Sequence, residues 1–395
     1  MKYNFDEIVD RVGTNCVKWD FMNKFTGVDD SCIPLWIADM DFRCAKPITD
    51  AVERVAKHGV YGYSEKPDSY YDSVVGWMKK RHNWEINNEQ ICVTPGIVKA
   101  LNFIIKEFTS PGEGVIVQTP VYGPFMQAIK SNGRNVIENK LKYEDNKYTI
   151  DFEDLEEKAK DNKTKMLLLC SPHNPISRVW TKEELTRIGE ICIKNNIIIV
   201  SDEIHSDIVY RNHRHIPFAS ISEEFANNSI ICTAPSKTFN IAGLETSNII
   251  ICNEEMRQRY KNELDRNGIK GHNPFGIVAT EAAYCEGEEW LDQVLDYLEK
   301  NIEFVELFIT KNMPKVKLVK PEGTFLLWMD FRELGLNQKE LKHLIEKEAK
   351  ITLDRGENFG DVGEGFQRIN IGCSIYMLEL ALQRLANAIN NYNNL

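Results

Sequence analysis

Residues 181–205, "TKEELTRIGEICIKNNIIIVSDEIH", contain the pattern that decides the fold. Thr181, followed three residues later by Glu184, is the signature of a capping box at the start of a helix. The run "IIIV" that follows the helical stretch is continuous and β-branched, which is typical of a strand covered on both faces. A helix followed at once by such a strand predicts one unit of a parallel sheet.

The same alternation of strand and helix extends over the middle of the chain. Its other strand, turn and helix segments are "QICVTPG" (90–96), "IVKALNFIIKEF" (97–108), "GVIVQTP" (114–120), "KMLLLCSPHNP" (165–175) and "SIIC" (229–232). This rhythm predicts an α/β fold with a doubly wound, mostly parallel sheet between helices. After about Trp290 the pattern changes to mixed helix and strand. We therefore expect a large domain over 46–289 and a smaller α+β domain formed by 1–45 and 290–395.

Composition excludes several classes of protein. The net charge of −11 over 395 residues, with no basic stripe, argues against nucleic acid as a partner. The apolar runs are too short to span a bilayer, and the amino terminus lacks the apolar core of a signal peptide. The 10 cysteines occur singly, without a C-x-x-C pair, which indicates a reducing compartment and predicts a cytoplasmic protein.

Polar and aromatic side chains follow the ends of the predicted strands. They are Tyr122 in "TPVYGPF", Asn174 in "SPHNP", Asp202 in "SDEIH" and Lys237 in "TAPSKTFN", and the turn at Gly96 precedes a helix whose free N–H groups suit an anion. Each has an ordinary alternative explanation: a packing aromatic, a turn former, a surface lysine or a plain strand–helix turn. Only the buried acid is informative alone, because an unpaired carboxylate at a strand end is costly.

Together these residues match what pyridoxal phosphate requires, because ligands of doubly wound sheets bind at the carboxyl ends of the strands. The helix amino terminus suits the phosphate, and the aromatic ring suits the pyridine ring. The acid would keep the pyridine nitrogen protonated, and the lysine would carry the aldehyde as a Schiff base. The sequence therefore predicts pyridoxal 5'-phosphate as cofactor, with Lys237 as its attachment point.

Longer phrases resemble the fold-type I pyridoxal-phosphate enzymes of aminotransferase class I/II, and within them the cystathionine β-lyase or C–S lyase branch that includes cystalysin. The resemblance extends over essentially the whole chain. Its phrases include "LWIADMDF", "YGYSEKPDSYYDSVVGWMKKRHNW", "TPGIVKAL", "PVYGPF", "SDEIHSDI", "SKTFNIAGL", "NPFGIVATEAAYCEGEEWL", "PEGTFLLWMDF" and "FQRINIGC".

The resemblance implies roles for individual residues. Lys237 and Asp202 match the catalytic lysine and the partner of the pyridine nitrogen, Asn174 matches the group on the ring hydroxyl, and Tyr122 matches the stacking aromatic. Tyr122 also counts among the catalytic and substrate-binding residues. Arg368, together with Asn174, matches the clamp on the substrate α-carboxylate, a task that suits a planar guanidinium.

The phosphate is expected to contact backbone and side chains from several segments. The implied cofactor-binding residues are Gly96, Ile97, Val98, Ser236 and His205. Tyr63, in "VYGYS", matches a tyrosine that reaches the phosphate from the neighbouring subunit, so the resemblance implies a homodimer with shared sites.

Three departures from the family pattern leave every catalytic group in place: Ser177 replaces a usual glycine, Glu245 replaces a usual glutamine, and the segment after Cys373 is altered. The third lies near the substrate side and leaves the substrate preference open. His205, three residues after the acid, stands where aspartate aminotransferases have tyrosine, and this favours the C–S lyases. His213 and His215 alternate near it, but no carboxylate or thiolate set accompanies them, so no metal site is predicted.

The resemblance therefore implies a C–S β-lyase that acts on cystathionine or cysteine-type amino acids and releases a thiol, pyruvate and ammonia. An aminotransferase using the same residues is the alternative. A regulatory interaction role is a third hypothesis, which the intact Lys237, Asp202 and Arg368 disfavour as the sole function.

Overall fold

The computed structural model of the protein describes residues 1–270 and 272–393. Its largest sheet is built from strands in the middle of the chain. They are β1 (Ile91–Thr94), β2 (Gly114–Val117), β3 (Asn135–Glu138), β4 (Thr164–Cys170), β5 (Ile198–Asp202), β6 (Ser229–Thr233) and β7 (Ser247–Ile250).

The order of these strands across the sheet is β1-β7-β6-β5-β4-β2-β3. Strands β3, β2, β4, β5 and β6 are parallel, whereas β7 is antiparallel to both of its neighbours. The predicted α/β fold with a mostly parallel sheet is confirmed. The parallel arrangement brings the carboxyl ends of β4, β5 and β6 to one edge of the sheet.

Helices cover both faces of this sheet, as the strand sequences require. Along β4, Met166 and Leu168 belong to one buried cluster, while Leu167 and Leu169 belong to the other. Alternate residues of a strand point to opposite faces, so a continuous apolar strand needs a hydrophobic layer on each side. Within the described residues, no helix combines the length and the apolar composition that crossing a bilayer requires.

The helices up to residue 286 include those that cover the two faces of the large sheet, whereas the first of them lies in the amino-terminal segment. They are α1 (Met22–Thr26), α2 (Lys46–His58), α3 (Asp68–His82), α4 (Ile97–Phe108), α5 (Gly123–Ser131), α6 (Phe152–Ala159), α7 (Lys182–Lys194), α8 (Glu223–Asn227), α9 (Pro235–Thr238), α10 (Glu254–Arg266) and α11 (Pro274–Glu286). The capping box predicted at Thr181 and Glu184 is present at the start of α7.

The last third of the chain forms a second, antiparallel sheet in the order β8-β9-β11-β10. Its strands are β8 (Lys317–Leu318), β9 (Leu326–Asp330), β10 (Asp354–Arg355) and β11 (Phe366–Asn370). The accompanying helices are α12 (Glu288–Asn312), α13 (Gln338–His343) and α14 (Ile375–Asn393).

Two short strand pairs lie outside these sheets. Lys142–Glu144 pairs with Lys147–Thr149, and Ile33–Pro34 pairs in parallel with Ile351–Thr352. The second pair fastens the amino-terminal segment to the carboxyl-terminal third, which agrees with grouping 1–45 with 290–395. The domain boundaries themselves stay a prediction.

Candidate active site

A cavity of about 160 Å³ lies at the carboxyl edge of the large sheet. The side chains that line it come from the ends of β4, β5 and β6 and from the starts of α4 and α5. Its lining residues are Ala38, Ile97, Val98, Tyr122, Cys170, Asn174, Asp202, Ile204, His205, Ser236, Lys237 and Ala242. Eight of the residues predicted from the sequence therefore meet in one place, and we call this space the cofactor cavity.

Lys237 lies in the short helix α9, directly after β6, and its half-buried side chain lies in the wall of the cofactor cavity. Its Nζ donates a hydrogen bond to the carbonyl oxygen of Ala38 at 2.6 Å. Burial lowers the pKa of Lys237 to about 8, and Arg368 adds to this effect, whereas Asp39 and Asp202 oppose it. A lysine amine is a better base and nucleophile when its pKa lies near the working pH.

Asp202 is the last residue of β5 and is 5% exposed. Its Oδ1 accepts a hydrogen bond from the backbone N–H of Ile204 at 3.1 Å. Burial raises the pKa of Asp202 to about 7, because that one bond and the charge of Lys237 do not compensate for lost water. A buried carboxyl with so little support is arranged for a cationic ligand atom rather than for stability.

Arg368 and Asn174 form a buried polar pair beside the cavity. Arg368 Nη1 donates to Asn174 Oδ1 at 3.0 Å, and its Nη2 pairs with Asp354 at 2.7 Å and donates to the carbonyl of Trp36 at 2.7 Å. Its Nε is buried and has no acceptor among the residues described. Such an uncommitted N–H is costly in isolation and is available to an anionic group of a ligand.

The start of α4 provides the predicted anion cradle. Gly96 occupies the N-cap with φ of +95°, a backbone conformation that favours glycine, and no side chain of the described residues caps the helix there. The first N–H groups of α4, beginning at Ile97 and Val98, are therefore open to a ligand. Ser236, in α9, lines the same cavity.

His205 is buried against the ring of Phe325, with ring centres 5.8 Å apart, and its Nδ1 has no partner among the described residues. Burial lowers the pKa of His205 to about 3, with smaller contributions from Lys237 and Arg368. The imidazole is therefore neutral and can accept or donate a hydrogen bond inside the cavity.

The segment 36–42, which we call the strap, contributes to the site in a way that sequence analysis missed. Besides the contacts of Lys237 and Arg368, Asn370 Nδ2 donates to the carbonyls of Ile37 and Asp39, and Asn240 bonds to Met40. The strap is thus held between residues after β6 and residues of β11. The phrase "LWIADMDF" was part of the predicted resemblance, but no role was assigned to its residues.

Tyr63 does not reach the cavity of its own chain. It lies in the loop between α2 and α3 and is fully exposed, and most of the surface of Val60 and Tyr61 is exposed too.

Ser177, one of the departures noted above, has φ of +57°, which explains why glycine suits this position. Its hydroxyl bonds to the carbonyl of Leu326 and to Thr324, so the serine is held by β9 and the residues before it.

Glu245 and His215 have structural partners. Glu245 is exposed and pairs with Lys99 at 2.9 Å. His215 lies 2.9 Å from Glu203, away from the cofactor cavity. Over the described ranges, no three His, Cys, Asp or Glu side chains gather as a metal site.

The residues present fit pyridoxal phosphate. The open amino terminus of α4 with Ser236 matches a phosphate, and the poorly supported Asp202 matches a protonated pyridine nitrogen. The depressed pKa of Lys237 suits imine chemistry, and Tyr122 lies in the same wall as a flat aromatic surface.

Comparison with known proteins agrees with this geometry. The model of the family "Aminotransferase class I and II" matches residues 33–385. The chain is 45% identical to cystathionine beta-lyase PatB of Bacillus subtilis, covering 98% of this chain and 100% of the relative.

Two solved structures have similar folds. The cystalysin structure from Treponema denticola, which contains pyridoxal 5'-phosphate, has a TM-score of 0.95 at 40% identity and covers 99% of this chain and 100% of its own. The PLP-bound C–S lyase from Staphylococcus hominis has a TM-score of 0.93 at 32% identity, covering 98% of each chain. This chain therefore belongs to the aminotransferase class I and II family, and its predicted resemblance to the cystathionine β-lyase branch is confirmed.

Proposed function

We propose that this chain is a pyridoxal-phosphate-dependent carbon–sulfur β-lyase that releases a thiol, pyruvate and ammonia from sulfur amino acids of the cystathionine type. The observation that carries the proposal is the meeting of a lysine of lowered pKa, an unsupported buried acid and an arginine–asparagine pair around one cavity. The 45% identity to a cystathionine β-lyase, over nearly the whole chain, directs that chemistry toward the C–S bond.

The cofactor prediction of pyridoxal phosphate is confirmed by the family. When bound, this group supplies an electron sink for the bonds at the substrate α-carbon. Gly96, Ile97, Val98 and Ser236 would hold its phosphate, and Asp202 would hold its ring nitrogen in the protonated form.

Arg368 and Asn174 bind and orient the substrate α-carboxylate. The uncommitted Nε of Arg368 gains an acceptor when the carboxylate arrives, so binding removes an unsatisfied buried donor. The pair also keeps the α-carbon on the side of Lys237.

Lys237 moves the proton at the α-carbon. A pKa of about 8 leaves a substantial fraction of its amine neutral at neutral or slightly alkaline pH. The carbonyl of Ala38, 2.6 Å from Nζ, orients that amine, and the strap therefore positions the base. A thiolate then leaves the adjacent β-carbon with the bonding electron pair and takes up a proton to become the thiol. Water hydrolyses the remaining 2-aminoacrylate to pyruvate and ammonia.

An aminotransferase with the same residues is the second candidate, and the family model supports it. The two activities differ in where the proton is returned and in whether the β-substituent can leave.

Product analysis separates the candidates. Purified protein with cystathionine is expected to release pyruvate and ammonia faster than it transfers an amino group from aspartate or glutamate to an oxo-acid. Lys237→Ala is the matched control and should lose both activities. Faster amino transfer than pyruvate release would favour the aminotransferase.

We also propose that the working unit is a homodimer. A fully exposed tyrosine, Tyr63, next to the exposed side chains of Val60 and Tyr61 supports an interface at this loop. In that dimer Tyr63 would contact the phosphate in the partner's cofactor cavity.

A cytoplasmic location is proposed as well, because the cysteines are unpaired throughout the described residues.

A further inference from the structure

A second cavity, of about 470 Å³, adjoins the cofactor cavity, and we call it the outer cavity. It is lined by the amino-terminal segment, by the strap and by residues after β6. These are Val9, Arg11, Asn15, Cys16, Val17, Ile37, Ala38, Asp39, Met40, Asp41, Phe42, Lys237, Asn240, Ala242 and Gly243.

The two cavities share part of their walls. Ala38, Lys237 and Ala242 line both of them. Asp39 is also close enough to Lys237 to raise the pKa of its amine against the larger effect of burial. The outer cavity therefore begins at Lys237, next to the strap.

Four charged groups form a compact network beside this space. Asp41 is held on both oxygens: Oδ2 accepts from Lys18 at 2.6 Å, and Oδ1 accepts from Arg11 at 2.6 Å and from Trp19 at 3.1 Å. Lys18 is fully buried. Lys18 and Asp41 therefore form the closed, structural side of the network.

Arg11 and Asp39 form its open side. They face each other with Nη2 to Oδ2 at 2.8 Å and Nη1 to Oδ1 at 3.3 Å, and their side chains are 21% and 25% exposed. None of the described residues accepts a hydrogen bond from Arg11 Nε. The Nε–H of Arg11 and the remaining lone pairs of the Asp39 oxygens are therefore not used within the network, and both residues line the outer cavity.

The charge balance indicates what this open side can bind. The charges of the two cations and two anions of the network cancel. A ligand whose only charge is a carboxylate is therefore attracted by Arg11 but repelled by Asp39. A group that carries both an ammonium and a carboxylate can satisfy both at once. Ile37, Met40 and Val17 also line the outer cavity and supply apolar surface for a chain of methylene groups and sulfur.

We infer that the outer cavity binds the far end of a thioether substrate that ends in an amino-acid zwitterion, with its carboxylate on Arg11 and its ammonium on Asp39. This assignment rests on the proposed lyase function, because the near end of the same substrate must react at Lys237. It makes Arg11 and Asp39 determinants of specificity rather than of catalysis.

The test compares two substrates with the same reacting half in the holoenzyme. Cystathionine has a zwitterionic far end, and S-butylcysteine has an uncharged one of similar length. Asp39→Asn and Arg11→Gln are expected to lower the ratio of their kcat/KM values, cystathionine over S-butylcysteine, at least tenfold. This fold-change matches the loss of one hydrogen bond to a charged group.

Arg43→Gln is the matched control, because it removes the same charge from an exposed arginine–glutamate pair, Arg43 with Glu7, that lines neither cavity. Any loss it causes should be equal for both substrates, with the ratio within twofold of wild type. A ratio that stays within twofold in both Asp39→Asn and Arg11→Gln overturns the assignment. If Arg11→Gln fails to fold, Arg11→Lys with Asp39→Asn carries the same test.

A binding measurement separates this inference from the proposed function. The dissociation constant of each amino acid is measured from the absorbance change of the bound cofactor, which requires no elimination. If neither compound yields pyruvate, the lyase proposal fails. The ratio of dissociation constants in Asp39→Asn still decides whether the outer cavity recognises the zwitterion, since an unchanged ratio refutes it.

Discussion

Replacing Asp202 with asparagine should stabilise the protein once the cofactor has been removed. The buried carboxyl has a pKa of about 7, raised chiefly by burial from its ordinary value of 3.8. It therefore binds its proton more tightly in the folded chain than in the unfolded chain, and stability falls as pH rises through about 4 to 7. Asparagine keeps an oxygen for the N–H of Ile204 and carries no charge at any pH.

The expected size follows from the shift of about 3 pKa units, each worth about 1.4 kcal/mol. The asparagine variant should gain up to about 4 kcal/mol in the free energy of unfolding at pH 8 and about 2 kcal/mol at pH 5.5. Below pH 4 the difference should vanish, because the wild-type carboxyl is then neutral in both states.

Urea unfolding of the apoproteins, prepared by removing the cofactor with hydroxylamine, measures this directly. Asp207→Asn is the matched control five residues away, since Asp207 accepts hydrogen bonds from Trp77, His82 and Thr238. Burial raises the pKa of Asp207, but His82 and Thr238 outweigh it and lower the pKa overall. That control should therefore lose stability, by about 3 kcal/mol or more.

An asparagine variant that is no more stable than wild type at pH 8 would refute this reasoning, as would a gain independent of pH. In the holoenzyme the gain should shrink, because the pyridinium then supplies the partner that Asp202 lacks. The same variant should retain the cofactor yet lose most turnover, since a neutral amide cannot keep the ring nitrogen protonated. Near-normal turnover would make Asp202 a structural acid.

Two further predictions concern binding and assembly. Arg368→Lys should lower kcat/KM about ten- to a hundredfold, mainly through a higher KM, because an ammonium cannot replace the planar donor fork of the guanidinium. Steady-state kinetics measures this, and an unchanged KM would contradict it. Refolding Tyr63→Ala together with Lys237→Ala should restore about one quarter of wild-type activity, because half the dimers are mixed and each has one intact site. Mixed dimers no more active than their parents would show that Tyr63 does not complete the partner's site.

The sequence predicted the large sheet and the residues at its carboxyl edge because that information is local. Continuous β-branched runs mark strands buried on both faces, and parallel strands bring Asn174, Asp202 and Lys237 to one edge without further knowledge. The change to mixed helix and strand after about Trp290 was likewise predicted, and β8 and β9 lie in that part of the chain.

The strap and the outer cavity could not be predicted in this way. The strap is held by Asn240 and Asn370, which lie about 200 and 330 residues further along the chain, and nothing in its own pattern specifies those partners. His215 illustrates the same limit of local patterns. Its spacing from His213 raised the question of a metal site, but its side chain contacts Glu203, a residue that this spacing does not indicate. Tyr63 depends on a second subunit, so its role stays a prediction.

Borohydride reduction of the yellow holoenzyme, followed by peptide mapping, tests the central claim most directly. Reduction is expected to fix the cofactor on the peptide that contains Lys237. Lys18 is an internal comparison: it is also buried, but Asp41 and Asp39 outweigh the effect of burial and raise its pKa, so it should remain unmodified. A reduced adduct on any lysine other than Lys237 would contradict the account.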